Sequence, residues 1–248
     1  MAVKLRTRNI YDPQSKKPYQ LSRSRLENFI RCPRCFYLDR RLGIDRPSMP
    51  GFTLNMAVDA LLKKEFNVYR AKREPHPLMK ENGVDAVPFQ HKDLDIWRAN
   101  FKGMQYHHQP TNFIITGAID DLWVNPAGQL IVVDYKATSK EGEISLDDDK
   151  WKDGYKRQME IYQWILRGMG FDVLNTGYFV YANGRKDLDG FHGTLSFHIQ
   201  LIDYKGNCRW VEKAVRNARD CLSSDTMPEC REECEFCVYR KLMREVES

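Results

Sequence analysis

Residues 113–136 limit the possible folds more than any other stretch: Phe-Ile-Ile-Thr-Gly-Ala-Ile-Asp-Asp-Leu-Trp-Val-Asn-Pro-Ala-Gly-Gln-Leu-Ile-Val-Val-Asp-Tyr-Lys. Two apolar, β-branched runs flank Asn125-Pro126-Ala127-Gly128, which predicts a hairpin with a short Gly-containing turn. On this reading Asp120 lies in the first strand, and Asp134 and Lys136 near the end of the second. Alternate strand residues share a face, so Asp134 and Lys136 project to the same side. Carboxylates are good ligands for Mg²⁺ or Mn²⁺. A bound divalent cation polarises a phosphoryl oxygen, and a neighbouring lysine can orient the attacking water. Such a site suits phosphodiester hydrolysis. The plain alternative is that Asp120 ends a strand while Asp134 and Lys136 make a surface ion pair.

Around this hairpin the chain alternates between helical and extended patterns. Residues 1–20 are basic and polar, with Pro13 and Pro18, and read as an extended basic arm before one domain spanning 21–248. Ser24-Arg25-Leu26-Glu27 spells a capping box, predicting a helix from about Ser24 into Cys32-Pro33-Arg34-Cys35. Cys35–Leu42 is again helix-like, and 45–51, with Pro47 and Pro50, reads as a loop. Leu54, Val58, Leu61, Leu62 and Phe66 have helical spacing, and Asp59 lies among them. Residues 72–93 read as an irregular connection, 94–101 as a short helix and 103–108 as a strand.

Beyond the hairpin, Asp147-Asp148-Asp149 reads as a solvated loop. Tyr155–Met169 forms an amphipathic helix with Met159, Tyr162, Trp164, Ile165 and Leu166 on its apolar side. Strands follow at 174–181 and 195–202, with a turn expected at Asn183-Gly184. A last helix is expected at 208–222. The order points to a mixed α/β fold, a central sheet flanked by helices.

At 248 residues the chain can bury one substantial core. Its net charge of +5 permits a polyanionic partner without demanding one. No apolar run reaches the roughly 18 residues that span a membrane, and a cytoplasmic protein is expected. Seven cysteines in uneven clusters suggest metal before disulfides in a reducing compartment. Cys32 and Cys35 form one Cys-x-x-Cys; Cys234 and Cys237 form another, with Cys230 just upstream. Thiolate ligation of zinc or an iron–sulfur cluster would clip the C-terminal tail to the first helix. Cys208 and Cys221 read as core residues, and His107 and His108 as structural. Arg23, Arg25, Arg31, Arg34, Arg40 and Arg41 gather around the first helices, either to meet phosphates or as a solvated face.

Gly117-Ala-Ile-Asp120, Asp134-Tyr-Lys136 and Gln158-Met-Glu-Ile-Tyr162 together resemble the PD-(D/E)XK nuclease superfamily in its RecB-like branch. That branch includes CRISPR-adaptation exonucleases and helicase-linked recombination nucleases. The resemblance spans roughly residues 22–240 and implies a restriction-endonuclease-like mixed sheet with cysteine-clipped terminal helical segments. It implies a metal-dependent deoxyribonuclease, an exonuclease on single-stranded DNA ends, in which metal-activated water hydrolyses the phosphodiester. Asp120, Asp134 and the Tyr135 carbonyl would hold the metal, and Lys136 would activate the water. Gln158 and Tyr162, four apart on one helical face, would line the site.

RecB-like members usually carry a histidine on the early helix; here Asp59 stands at that place, either as a further ligand or as a solvent-facing residue. Clustered RecB-like members bind 4Fe–4S through one N-terminal and three C-terminal cysteines, the last about six residues beyond the Cys-x-x-Cys. Met243 occupies that position, so the implied ligands are Cys32, Cys230, Cys234 and Cys237. Inclusion of Cys35 instead would look more like zinc. Implied partners are DNA and proteins of recombination, repair or CRISPR adaptation. The competing expectation is a catalytically impaired nucleic-acid-binding or assembly module that keeps the fold.

Overall fold

The computed structural model describes residues 5–47 and 51–247. Residues 1–4 of the expected arm and 48–50 of the expected Pro-containing loop lie outside the described residues. The chain forms two compact units. One comprises Met1–Pro50, Tyr106–Thr116 and Arg209–Ser248; the other comprises Gly51–Gln105 and Gly117–Cys208.

In chain order the elements are β1 (Tyr19–Ser22), α1 (Arg23–Arg31), α2 (Pro33–Arg40), α3 (Thr53–Lys72), α4 (Pro77–Glu81), β2 (Val87–Pro88), α5 (Leu94–Arg98), β3 (Met104–His108), β4 (Phe113–Gly117), β5 (Asp121–Val124), β6 (Leu130–Thr138), α6 (Asp153–Gly168), β7 (Thr176–Gly184), β8 (Phe197–Lys205), α7 (Val211–Ser223) and α8 (Glu235–Glu247). The fold is mixed α/β, as expected.

In the first unit the arm is irregular up to Pro18 but not loose. Tyr11 is buried, its N–H donates to the Arg40 carbonyl at 2.7 Å, and its ring meets Tyr19 and Phe113 edge-on. β1 pairs in parallel with β4, Ser22 opposite Thr116, in a sheet ordered β1-β4-β3. That pairing fixes where the chain enters α1. The helix starts at Arg23 with Ser22 as its N-cap, and the expected Ser24–Glu27 capping box does not form. Pro33 disfavours helical geometry at the residue before it, and Cys32 is extended (φ −162°, ψ 106°). α1 therefore stops at Arg31, and Pro33 opens α2, where its missing N–H costs nothing. Leu26, Phe36 and the apolar face of α7, Val211, Val215, Ala218 and Leu222, are buried. Arg25 and Arg40 turn inward onto the buried Asp39, so they are internal ion-pair partners rather than phosphate contacts.

The second unit carries a five-stranded sheet ordered β2-β5-β6-β7-β8. β5 and β6 form the expected hairpin, with Gly128 at φ +81° in its turn, a backbone angle that side chains disfavour. The single strand expected over 113–124 is instead two. β4 belongs to the first unit's sheet, and the chain breaks at Ala118–Asp120 before β5 begins. β6 and β7 are parallel, and the connection between them contains α6. Val58, Leu62 and Phe66 of α3 pack on the face bearing Ile131, Val133 and Tyr135, with Trp123, Val180 and Ala182. The Phe66 and Trp123 rings stack at 5.7 Å. Strand alternation sends Val132, Asp134 and Lys136 to the other face, where Gln158 of α6 meets Asp134.

Two further details depart from expectation. Residues 72–93 contain α4 and β2 rather than only loop. Asn183 and Gly184 continue β7 in register with β8 and make no turn. The tail after Cys234 is the helix α8, the C-terminal helical segment that was expected.

Candidate active site and metal centre

The second unit contains all of the residues expected to be catalytic. Asp134 is fully buried at the middle of β6, not near its end as expected, because the strand runs on to Thr138. Its Oδ1 accepts a 2.7 Å hydrogen bond from Gln158 Nε2, and its Oδ2 pairs with the Lys136 ammonium. Gln158 Nε2 also donates to the Tyr162 hydroxyl at 3.2 Å. The i,i+4 spacing of Gln158 and Tyr162 therefore places both on the face of α6 that meets β6. Lys136 Nζ stands 4.1 Å from the centre of the Tyr155 ring, a cation–π contact that bounds the ammonium on a second side.

Asp120 lies in the break before β5, not in a strand, and that break turns its carboxylate toward β6. Its Oδ2 accepts from the Tyr135 N–H at 2.9 Å, so one peptide joins the two acids' positions. Gly117, at the end of β4, permits the close approach of α6. A Cβ there would fall 2.5 Å from Cε1 of Tyr162. Asp59 lies on α3, and Lys63, one turn later, donates to it at 2.8 Å and stands 3.6 Å from Asp120 Oδ1. Burial pushes the Asp59 carboxyl above the usual carboxylate range; Asp120 adds to this and Lys63 opposes it. Tyr135 points its ring to the α3 side, and its hydroxyl donates to Asp121 Oδ2 at 2.7 Å. Burial first, then the Asp121 charge, raises that hydroxyl well above its ordinary pKa, so it serves as a donor.

Sequence reasoning missed several residues in and beneath the site. Asp121 is fully buried and held by Arg70, Arg98 and Tyr135. Lys63 was visible as the i+4 partner of Asp59, and Tyr155 as the i−3 neighbour of Gln158. Arg70 extends the Lys63 side of α3 by two turns. The acidic run is an exposed loop, as expected, and ion pairs hold it in place. Asp148 pairs with Lys140 and with the buried Lys152, and these ammonium groups hold its carboxyl at about 2.

Asp59, Asp120 and Asp134 supply hard oxygen donors, the chemistry that Mg²⁺ and Mn²⁺ require. Three carboxylates against Lys63 and Lys136 leave an excess of negative charge, so the residues fit a divalent cation. Their oxygens do not form a closed cluster, because Lys63 bridges Asp59 to Asp120 and Lys136 occupies Asp134.

Among the described residues, the group whose ligand atoms all lie within 4.8 Å of one another is Cys32, Cys35, Cys234 and Cys237, in the first unit. Cys35 thus stands where Cys230 was expected. Cys230 is exposed, in a stretch with neither helix nor strand, whereas Cys35 is carried inward by the first turn of α2. Burial alone would raise the Cys32 thiol, but the Cys35 and Arg231 backbone N–H groups outweigh it and bring the thiol down to about 7. Cys208 and Cys221 are half-buried, and Arg167 donates to the Cys208 sulfur at 2.8 Å. His107 bonds Asn112 and His108 bonds Thr111, both structural roles.

A family profile for the PD-(D/E)XK nuclease superfamily matches residues 20–242. The chain belongs to the PD-(D/E)XK nuclease superfamily. The matched span contains Asp120, Asp134 and Lys136 together with both Cys-x-x-Cys pairs. Membership in the PD-(D/E)XK superfamily makes the acid–lysine cluster the candidate centre of a metal-dependent nuclease. No match is found among curated proteins. A solved structure described as the crystal structure of SSO0001 is similar at 17% identity and a TM-score of 0.39, over 92% of this chain and 87% of that one.

Proposed function

We propose that the protein is a deoxyribonuclease of the RecB-like branch, an exonuclease acting on single-stranded DNA ends. The observation that supports this reading best is the arrangement at Asp134: a buried carboxylate whose two oxygens are met by Lys136 and Gln158. Burying a carboxylate costs several kcal/mol unless it is paired and hydrogen-bonded, and a scaffold has no need to bear that cost.

Asp120, Asp134 and the Tyr135 carbonyl would hold Mg²⁺ or Mn²⁺, with Asp59 as a further ligand; when bound, the cation supplies Lewis-acid charge to the phosphodiester. The chain's own groups do the rest. Gln158 fixes the carboxylate plane of Asp134. Tyr155 and Asp134 confine the Lys136 ammonium, which orients the attacking water and balances negative charge on the phosphorane-like transition state. Aspartate in place of histidine at position 59 makes the side-chain donors all oxygen, which favours these hard cations over zinc.

The exonuclease mode and RecB-like placement rest on Gln158-x-x-x-Tyr162 following the acid–lysine pair. A role beside recombination, repair or CRISPR-adaptation proteins accords with that branch. No helix among the described residues is long and apolar enough to cross a membrane, and cysteines gathered at metal-ligand distances rather than spread as disulfide pairs suit a reducing cytoplasm.

The test is cleavage of end-labelled single-stranded, duplex and circular DNA with Mg²⁺ or Mn²⁺. Linear single strands are degraded and circles survive. Lys136→Ala reduces the rate by about 10²-fold or more; equal cleavage by Lys136→Ala overturns the reading. One observation favours a second reading, an impaired nucleic-acid-binding or assembly module: the acids are already matched by Lys63 and Lys136. Tight DNA binding without cleavage in any divalent metal supports that alternative.

A further inference from the structure

The cysteine centre differs from the cluster that the family resemblance implies. Its closest sulfur pairs are Cys35–Cys234 and Cys35–Cys237, both at 3.6 Å, and Cys32–Cys237 at 3.9 Å. Thiolates at about 2.3 Å from one central ion, in tetrahedral directions, stand about 3.8 Å from each other. These three separations lie close to that edge length. In a 4Fe–4S cluster each thiolate sits on a different corner iron, with the sulfides packed between. Four sulfurs all within 4.8 Å of one another enclose no space for that core. Sulfur softness suits zinc and iron equally, so volume decides.

The local backbone gives a second reason. Each Cys-x-x-Cys opens a helix in the same way. Cys32 precedes α2 and Cys35 lies in its first turn; Cys234 precedes α8 and Cys237 lies in its first turn. The Cys32 carbonyl accepts from the Phe36 N–H at 3.1 Å, and the Cys234 carbonyl from the Val238 N–H at 2.9 Å. Two matching chelates supply four ligands and complete a tetrahedron without Cys230. The Arg46 guanidinium acts electrostatically on the Cys35 thiol and lies 4.6 Å from the centre of the Phe236 ring on α8. Four thiolates around a divalent ion leave two negative charges, and Arg46 offsets one of them.

We propose that Cys32, Cys35, Cys234 and Cys237 form a mononuclear, tetrahedral zinc site, and that Cys230 is not a ligand. The site lies within the first unit and uses no residue of the acid–lysine cluster, so this inference stands or falls separately from the nuclease reading.

The test is metal and acid-labile sulfide analysis of the full chain purified without oxygen from medium containing both iron and zinc, with its visible spectrum. Equimolar zinc, no labile sulfide and a colourless solution are expected. Exchange with Co²⁺ gives the intense charge-transfer and visible bands of tetrahedral cobalt thiolate. Cys230→Ser retains equimolar zinc, and Cys35→Ser loses it. Brown protein with iron and labile sulfide, equimolar iron without sulfide, or metal-free protein each overturns the inference. Loss of zinc from Cys230→Ser overturns it as well, and this variant remains decisive if Cys35→Ser fails to fold.

Discussion

Gln158 on α6 donates to Asp134 on β6 at 2.7 Å, linking a helix to the buried acid at the centre of the site. Removing the amide leaves that oxygen buried with one partner fewer, at a cost of about 1–3 kcal/mol. Gln158→Ala is therefore expected to lower the urea midpoint and to slow cleavage with little change in DNA affinity. Gln158→Glu is expected to be worse on both counts, because it sets a second carboxylate against Asp134. Parallel denaturation and single-turnover measurements on the two variants check the order.

Asp121 works beneath the site rather than in it. It anchors Arg70, Arg98 and the Tyr135 hydroxyl with no exposed surface of its own. Asp121→Asn leaves two buried guanidinium groups short of an anion and is expected to cost about 3–5 kcal/mol. Asp121→Asn is expected to unfold at a much lower temperature than Gln158→Ala. The reverse order in a calorimetric scan would contradict this account of the network.

At Gly117, a methyl group would meet the Tyr162 ring at 2.5 Å. Gly117→Ala is expected to destabilise by about 1–3 kcal/mol through overpacking. The double variant Gly117→Ala/Tyr162→Leu relieves the contact and is expected to recover part of the loss. A double-mutant cycle in urea measures the coupling, and an additive result would show that the contact is not the cause.

His108 gives a pH test for the first unit. Burial holds its imidazole below the ordinary value of 6.5, with Glu212, at 3.6 Å, pulling the other way. The unfolded chain then binds more protons between the folded and unfolded values. Stability is full above about pH 6.5 and falls as the pH drops through the folded value. His108→Asn is expected to flatten that part of the stability–pH curve. Urea titrations of both proteins from pH 7.5 to about 5 provide the comparison; an unchanged slope would dismiss the role of His108.

Much of the second unit was legible because its signals are local. The turn at 125–128, the alternation that sets Asp134 beside Lys136, and the spacing of Gln158 and Tyr162 all act within a few residues. The break at Ala118–Asp120 was not legible. The apolar run reads through it, and only pairing of β4 with the distant β1 ends the strand. The same pairing explains the failed capping box, since the register at Ser22 sets the start of α1. Cys35 and Cys230 could not be ranked from spacing alone. The choice depends on which thiol its own segment turns inward, and for Cys35 the Pro33-initiated helix does so.

The cysteine centre also changes the topology of the chain. Cys32 and Cys237 are 205 residues apart, so an ion shared between them closes most of the polypeptide into a ring. The entropy that such a closure removes from the unfolded chain grows only with the logarithm of its length, so so large a ring costs little more to close than a small one. With an ion held there, the first pair of thiols would stay vacant during synthesis until the second emerged, and completion of this unit would wait on free metal as well as on the sequence.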